Sequence, residues 1–246
     1  MDRIDKILAN HGYCSRRGAE RFLRAHRITF NNVRLFDTSQ KVEASGILID
    51  DQQIDHPDGI FILMHKPSGY VCSHDSSEGP RVYDLLPPQW MNRNPVPTSV
   101  GRLDKDTTGA LIITDNMDLV HRLTSPSRHV SKVYHITVDK KVSDTLIETF
   151  RSGTLQLNGE KKPCLPAKLE LIDSRNARLT LEEGKYHQVK KMFASQGYTV
   201  VKLHRQQFGE WNLEGLDVGC WKDVEPEFEH IRANLGLTMY NPFVMP

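Results

Sequence analysis

The run Gly101-Arg102-Leu103-Asp104-Lys105-Asp106-Thr107-Thr108-Gly109-Ala110-Leu111 has the residue types and spacing for covalent chemistry. It sets one carboxylate, Asp104, between an arginine and a lysine, beside hydroxyl side chains and a glycine turn. The apolar run Ala110 to Ile113 follows at once and reads as a buried strand. A carboxylate on a tight loop beside a sheet, among cationic and hydroxyl groups, is expected to be ionised and aimed. That environment suits a nucleophile, whereas a general acid needs an apolar pocket that raises its pKa. The same residue types also build an ordinary surface turn.

The rest of the chain narrows what such a carboxylate could serve. At 246 residues, 38% hydrophobic and 26% charged, the composition is that of a globular protein with core enough to fold unaided. Cys14, Cys72, Cys164 and Cys220 are scattered and read as reduced thiols. The eleven histidines show no metal-ligand spacing, so no metal is expected. No apolar run approaches a membrane span, and Met1-Asp2-Arg3-Ile4 does not open a signal peptide. A cytoplasmic protein with no membrane partner is the expectation.

A net charge of +1 conceals a strong asymmetry. Residues 1–34 carry eight Lys/Arg against three Asp/Glu, and residues 185–205 carry five Lys/Arg and no acid. The tail from 206 to 246 holds two Lys/Arg against seven acids. Two basic blocks flanking a candidate nucleophile point to a polyanion, and folded RNA is the natural partner.

The elements that must position these groups follow from periodicity. Asp2 can cap a helix with Ile4, Ile7 and Leu8 on one face, ended by Gly12. Ser15 can cap a second, with Ala19, Phe22 and Leu23 inward and Arg16, Arg17, Arg21 and Arg24 outward, although Gly18 weakens it. Ile28 to Phe30, Asn31-Asn32 and Val33 to Leu35 read as a hairpin, and Ile47 to Ile49 as another strand. Arginines on one face can grip consecutive phosphates. His56-Pro57-Asp58-Gly59 reads as a linker.

Beyond residue 59 the strands expected are 60–65, 110–114, 132–138, 167–172, 177–181 and 199–203. The helices expected are 117–123, 143–150 and 187–196, the last ending at Gly197. Strands often follow strands directly, which argues an α+β fold with a mixed, largely antiparallel sheet.

Arg3-Ile4-Asp5-Lys6-Ile7-Leu8, Cys14-Ser15-Arg16-Arg17 and the hairpin resemble the S-four-type RNA-binding domain over roughly residues 1–57. Three further segments join up: His65-Lys66-Pro67-Ser68-Gly69-Tyr70-Val71, the Gly101-to-Leu111 run, and Gly184-Lys185-Tyr186-His187-Gln188-Val189-Lys190-Lys191-Met192-Phe193. With Ser131-Lys132-Val133-Tyr134 they resemble pseudouridine synthases of the RsuA type, in the same order over about residues 1–223. The resemblance implies a small N-terminal RNA-binding module (1–57), a linker (58–59) and a synthase domain (60–224); the C-terminal tail (225–246) departs from it, being longer and less familiar than the family's. It implies an enzyme that isomerises uridine in ribosomal RNA, in the small subunit by its nearest motifs, with no cofactor. A monomer acting on ribosomal RNA or a partly assembled subunit is expected.

By the same resemblance Asp104 is the nucleophile, Lys190 the cation that pairs with it, and Tyr134 the active-site tyrosine that stacks on the base or helps remove the carbon-5 proton. Whether Asp104 attacks ribose or base, or assists elimination, stays open. The target uridine lies in folded RNA and must be flipped out, at a cost of about a few kcal/mol. Arg3, Lys6, Ser15, Arg16, Arg17 and Arg24 in the front module are expected RNA contacts. So are Arg102, Lys132, Lys185, His187, Gln188, Lys191 and Arg205, with His187 and Gln188 equally readable as a helix start. Asp106 and Thr107 are expected to shape the loop through side chain-to-backbone hydrogen bonds, and Lys66-Pro67 and Gly69 to pack beneath the site.

Three other readings use the same residues. Asp104-Lys105-Asp106-Thr107-Thr108 fits the Asp-x-Asp-x-Thr pattern of aspartyl-phosphate phosphatases, which need magnesium and a later acidic pair. Relatives acting on large-subunit RNA share the four motifs. A non-catalytic ribosome-assembly protein could keep the fold. The segment Tyr240-Asn241-Pro242-Phe243 is a candidate docking element in a tail otherwise read as unstructured.

Overall fold

The structure, a computed structural model, describes residues 1–224. The Tyr240-to-Phe243 segment, like the rest of the tail, lies outside the described residues. Two compact units are formed. Of the described residues, one comprises Met1–Phe61 with Tyr83–Thr98 and Ile113–Met117; the other comprises Ile62–Val82, Ser99–Ile112 and residues 118–224. Among the described residues no helix is long and apolar enough to cross a membrane.

In the first unit α1 spans Ile4–Asn10 and α2 spans Ala19–Ala25. Ile4, Ile7 and Leu8 of α1 and Leu23 of α2 are buried together with Ile28, Val42 and Ile47. The expected cap differs: Asp2 lies in a two-residue strand opposite Val42, and α1 begins after Arg3 with no side-chain cap. Asp2 instead takes a hydrogen bond from Lys6 at 2.8 Å, the partner one helical turn on. Ser15 does cap, accepting from the Gly18 amide at 3.1 Å, but it caps a single 3-10 turn, Arg16–Gly18. Glycine's backbone entropy delays the α-helix to Ala19, so Arg16 and Arg17 sit on that turn and only Arg21 and Arg24 on α2.

Strands β1 (Ile28–Phe30), β2 (Val33–Arg34), β3 (Ile47–Ile49) and β4 (Gln52–Gln53) form an antiparallel sheet in the order β2-β1-β3-β4. Asn31 and Asn32 have φ of 50° and 66°. Two left-handed residues in succession give the tight turn whose twist matches the strands, and asparagine tolerates that region well.

The second unit is built on a nine-stranded sheet. Its main strands are β5 (Phe61–Lys66), β6 (Thr108–Thr114), β7 (Lys132–Val138), β8 (Lys168–Leu171), β9 (Asn176–Leu181), β10 (Val200–Phe208) and β11 (Trp221–Asp223). Their order is β8-β9-β7-β10-β6-β5-β11. The pairs β8/β9, β9/β7, β7/β10 and β5/β11 are antiparallel, and β10/β6 is parallel. The fold is therefore the mixed, largely antiparallel α+β arrangement expected. Helices α3 (Met117–Thr124), α4 (Thr145–Arg151) and α5 (Gln188–Ser195) complete the unit.

Strand β6 is buried almost throughout, as its unbroken apolar run requires, while β7 alternates and buries Tyr134, Ile136 and Val138 on one side. At the parallel β6/β10 contact Arg205 stands opposite Gly109. A Cβ on Gly109 would lie 2.1 Å from the Arg205 carbonyl oxygen, and its φ is +118°. Only glycine permits the strand carrying the loop of Asp104 to approach β10 this closely.

Candidate active site

Asp104 lies on the loop that enters β6, and that loop is fixed from below. Lys66, the last residue of β5, is fully buried. Its Nζ donates to the carbonyl oxygens of Pro67 (3.1 Å), Asp104 (3.0 Å), Lys105 (3.2 Å) and Thr107 (2.7 Å). Burial pushes the ammonium's pKa down, opposed by the nearby acidic groups, Asp104 and Asp106 among them. Carbonyl dipoles solvate the charge that water would otherwise solvate. The amide of Gly69 donates to Lys105 O at 2.8 Å, adding a second tie.

Above the loop, α5 and the residue that caps it present two basic side chains. Its apolar face, Val189, Met192 and Phe193, is buried, which leaves Lys190 directed at the loop. Lys190 Nζ lies 2.9 Å from Asp104 Oδ2 and 2.7 Å from Asp106 Oδ1. Burial works to lower the Lys190 pKa, but hydrogen bonds to the two carboxylates outweigh it and hold it above the usual lysine value. The Lys190 hydrogen bond also holds Asp106 below the ordinary carboxylate range. His187 stands at the helix start with φ of 51°, and its Nε2 is 3.1 Å from Asp104 Oδ1. Each Asp104 oxygen thus faces its own basic side chain.

Asp104 and Lys190 line a cavity of about 140 Å³ together with Tyr134, Lys132, Arg102, His187, Thr107 and Arg205. A cavity of this size holds a six-membered ring, as an engineered cavity of similar volume holds benzene. Tyr134 is 8% exposed and faces inward from β7, in register with Arg205 on β10. Lys132, two residues before Tyr134, donates to Val130 O at 2.6 Å. Burial, and then the charge of Arg205, lower its pKa to about 8. Arg102 is exposed at the cavity without an ion-pair partner among the described residues.

Several expected contacts turn out differently. Gln188 is buried, with its amide donating to Glu183 and accepting from the Lys185 amide at 2.8 Å, and so fastens the helix start at the edge of the cavity. The Lys185 ammonium is tied inward, to Lys162 O at 2.8 Å and Pro163 O at 3.2 Å. Lys191 points away from Asp104, toward Glu160 at 3.9 Å and over the ring of Tyr186. Asp106 serves Lys190. Thr107, expected to bond to backbone, has a buried hydroxyl with no hydrogen-bond partner among the described residues. In the front module Arg3 and Arg16 share Asp5, and Arg24 pairs with Glu20. Arg17 and Arg21 are exposed and unpaired among the described residues.

Two contacts escape sequence reasoning: the Lys66 anchor and the touch of His187 on Asp104. Their only local signals are a lysine closing an apolar strand before Pro67, and a histidine one turn ahead of Lys190. The phosphatase reading needs further acids around Asp104. Among the described residues no three His, Cys, Asp or Glu side chains come together as a metal site, and Asp104 and Asp106 converge on a lysine. All four cysteines are free.

A carboxylate braced by two basic groups beside a cavity large enough for one six-membered ring is an arrangement that can act on a single base. The chain belongs to the RNA pseudouridylate synthase family, whose model matches residues 60–195, and an S4 domain matches residues 2–48. It is accordingly a pseudouridine synthase, an isomerase. It is 37% identical over 228 residues to the ribosomal small subunit pseudouridine synthase A of Pasteurella multocida, covering 92% of this chain and 97% of that one. The protein of the same name in Escherichia coli K12 is 38% identical over 216 residues, covering 86% and 91%. An uncharacterized RNA pseudouridine synthase of Bacillus subtilis is 34% identical, covering 93% and 97%. A solved pseudouridylate synthase superposes with a TM-score of 0.64 at 34% identity, covering 92% of this chain and 97% of that one.

Proposed function

We propose that this enzyme isomerises a uridine of small-subunit ribosomal RNA, with Asp104 as its nucleophile. The observation that carries the reading is the placement of the Asp104 carboxylate between Lys190 (2.9 Å) and His187 (3.1 Å) at a cavity lined by Tyr134. The small-subunit assignment is supported by relatives of that name at 37% and 38% identity. In the reaction the bond from ribose C1′ to uracil N1 breaks, the base turns, and C5 is joined to C1′ with loss of its proton. Lys190 and His187 fix the direction of the Asp104 carboxylate, which is assigned to act at the sugar–base junction. Tyr134 is assigned to stack on the base, a contact of about 1–3 kcal/mol by analogy with single-strand binding, and its hydroxyl to help remove the carbon-5 proton.

Arg102, exposed at the cavity, is assigned to the phosphate of the extruded nucleotide. Arg17 and Arg21 of the front module are assigned to flanking backbone, with Arg3, Lys6, Arg16 and Arg24 beside them. Domain limits of 1–57 and 60–224, a monomeric state and a cytoplasmic location complete the reading.

The test is incubation, separately, with small-subunit and large-subunit ribosomal RNA tritiated at uridine C5, followed by mapping of the modified position. Tritium release by the wild type and none by Asp104→Asn is expected. Release from large-subunit RNA alone would move the substrate to that relative's class. RNA binding without release would leave a ribosome-assembly role.

A further inference from the structure

Arg205 is 2% exposed and lies in the middle of β10, opposite Tyr134 on one side and Gly109 on the other. Its Nε donates to Ala110 O at 2.7 Å, which fixes the plane of the guanidinium. Its Nη2 is buried and has no hydrogen-bond partner among the described residues. The same holds for Thr107 Oγ1, and both residues line the cavity that Asp104 faces. A buried donor without an acceptor costs about 1–3 kcal/mol, more when charged, so two residues of one cavity wall that carry such atoms are candidates for polar contacts with a ligand.

The chemistry of the two atoms narrows the ligand. An arginine nitrogen can only donate, so what meets Nη2 is an acceptor; a threonine hydroxyl can donate or accept. Uracil offers carbonyl oxygens O2 and O4 with an N3–H donor between them. Cytosine keeps O2 but replaces O4 by an amino donor, so an arginine meeting the 4-position favours uracil, whereas one at O2 accepts either base. A backbone phosphate, strongly hydrated, fits the exposed Arg102 better than a side chain buried to this degree.

We propose that Arg205 holds a carbonyl oxygen of the extruded uracil, with Thr107 beside it, and stabilises the base as it departs from the ribose. This rests on the assignment of Asp104 as the group that acts at the sugar–base junction. When the C1′–N1 bond breaks, its electron pair leaves with the base and spreads from N1 onto O2 and O4. The deficit at C1′ is met by the Asp104 carboxylate, either as an ester or as the base that removes the 2′ proton. No proton passes through Arg205. Its fixed positive charge meets the negative charge that grows on the oxygen, which is electrostatic stabilisation of the transition state by a group already in place.

The test uses the full-length enzyme and unmodified transcripts of both ribosomal RNAs, made with uridine or with 5-fluorouridine. Fluorine draws charge from the ring, so the departing base needs less help. First-turnover loss of the N-linked nucleoside is followed by mass spectrometry of digested RNA. For Arg205→Gln the rate on uridine RNA falls about 10²–10³-fold, the scale of removing one preorganised donor. RNA affinity changes less than threefold. On 5-fluorouridine RNA the loss is at least fivefold smaller, and Arg205→Lys recovers part of the rate. Equal losses on both RNAs, or weaker RNA binding with an unchanged first-turnover rate, overturn the proposal. So does a common drop in melting temperature that explains the rates of both variants, since that would make Arg205 only the tie between β10 and β6. Wild-type inactivity on both transcripts would sink the assignment of Asp104 and this inference with it.

Discussion

Lys66 and Asp104 are 38 residues apart and joined by a hydrogen bond of 3.0 Å from the lysine ammonium to the aspartate's own carbonyl. The lysine holds the backbone of the residue whose carboxylate acts, and leaves the carboxylate free. Because Lys66 also binds the carbonyls of Lys105 and Thr107, the loop is gathered around one buried charge. Lys66→Met keeps the volume and removes all the donors, leaving the carbonyls unpaired. A loss of about 3–5 kcal/mol in unfolding free energy is expected, measured by urea titration. In enzyme that remains folded, kcat falls by at least tenfold while RNA affinity holds, because the loop and not the RNA surface is disturbed.

Gly109→Ala tests the close approach of β6 to β10. The added methyl would meet the Arg205 carbonyl at 2.1 Å, and the backbone would be held at a φ of +118°. Backbone cannot swing aside as a side chain can. A destabilisation of at least about 3 kcal/mol is expected, seen as a melting temperature lowered by several degrees or as insoluble protein. A variant as stable as wild type would show that the strands separate at little cost.

What the sequence can and cannot disclose follows the reach of its signals. The strand Lys132–Val138 is legible to the residue because apolar and polar side chains alternate along it, and the Asn31-Asn32 turn because it depends on two adjacent residues. The strand expected to stop at Leu203 runs on, as β10, to Phe208. His204, Arg205, Gln206 and Gln207 break the apolar pattern, and nothing local announces that Arg205 is buried with its Nε on Ala110 O, 95 residues away. Asp104 stands out for its neighbours, but its meeting with Lys190 comes only from family resemblance, since no period links a loop to a helix across such a separation. Lys66 and Thr107 look like scaffolding in the sequence for the same reason: their roles lie in partners, present or missing, that only the folded chain defines.

The front module makes a separate prediction from its ion pairs. Arg17 and Arg21 carry charges unpaired among the described residues, whereas Arg16 is 3.3 Å from Asp5, which it shares with Arg3. Replacing Arg17 and Arg21 by alanine is expected to weaken RNA binding and to reduce the log–log salt slope by about one unit for each phosphate no longer neutralised. Arg16→Ala is expected to reduce it less. Filter binding across a salt series reads both, and an unchanged slope in the double variant would remove this surface from the RNA interface.

Lys132 is expected to give the cavity a pH dependence. Burial first, then the charge of Arg205, bring its pKa to about 8, while Glu182 and Glu183 act in the opposite direction. Below pH 8 the ammonium is charged and adds to the positive potential over an RNA nucleotide; above it that charge is lost. kcat/KM is therefore expected to decline severalfold between pH 7.5 and 9, and Lys132→Met to start lower and to lack that decline. Stability moves the other way. The unfolded side chain titrates near its ordinary value of 10.5, so between pH 8 and 10.5 the unfolded chain binds more protons, and this residue's contribution to stability rises with pH. A falling rate with no fall in melting temperature over pH 8 to 9 identifies loss of charge in the cavity. If Lys132→Met kept the same alkaline limb, the titrating group would have to be sought elsewhere in the site.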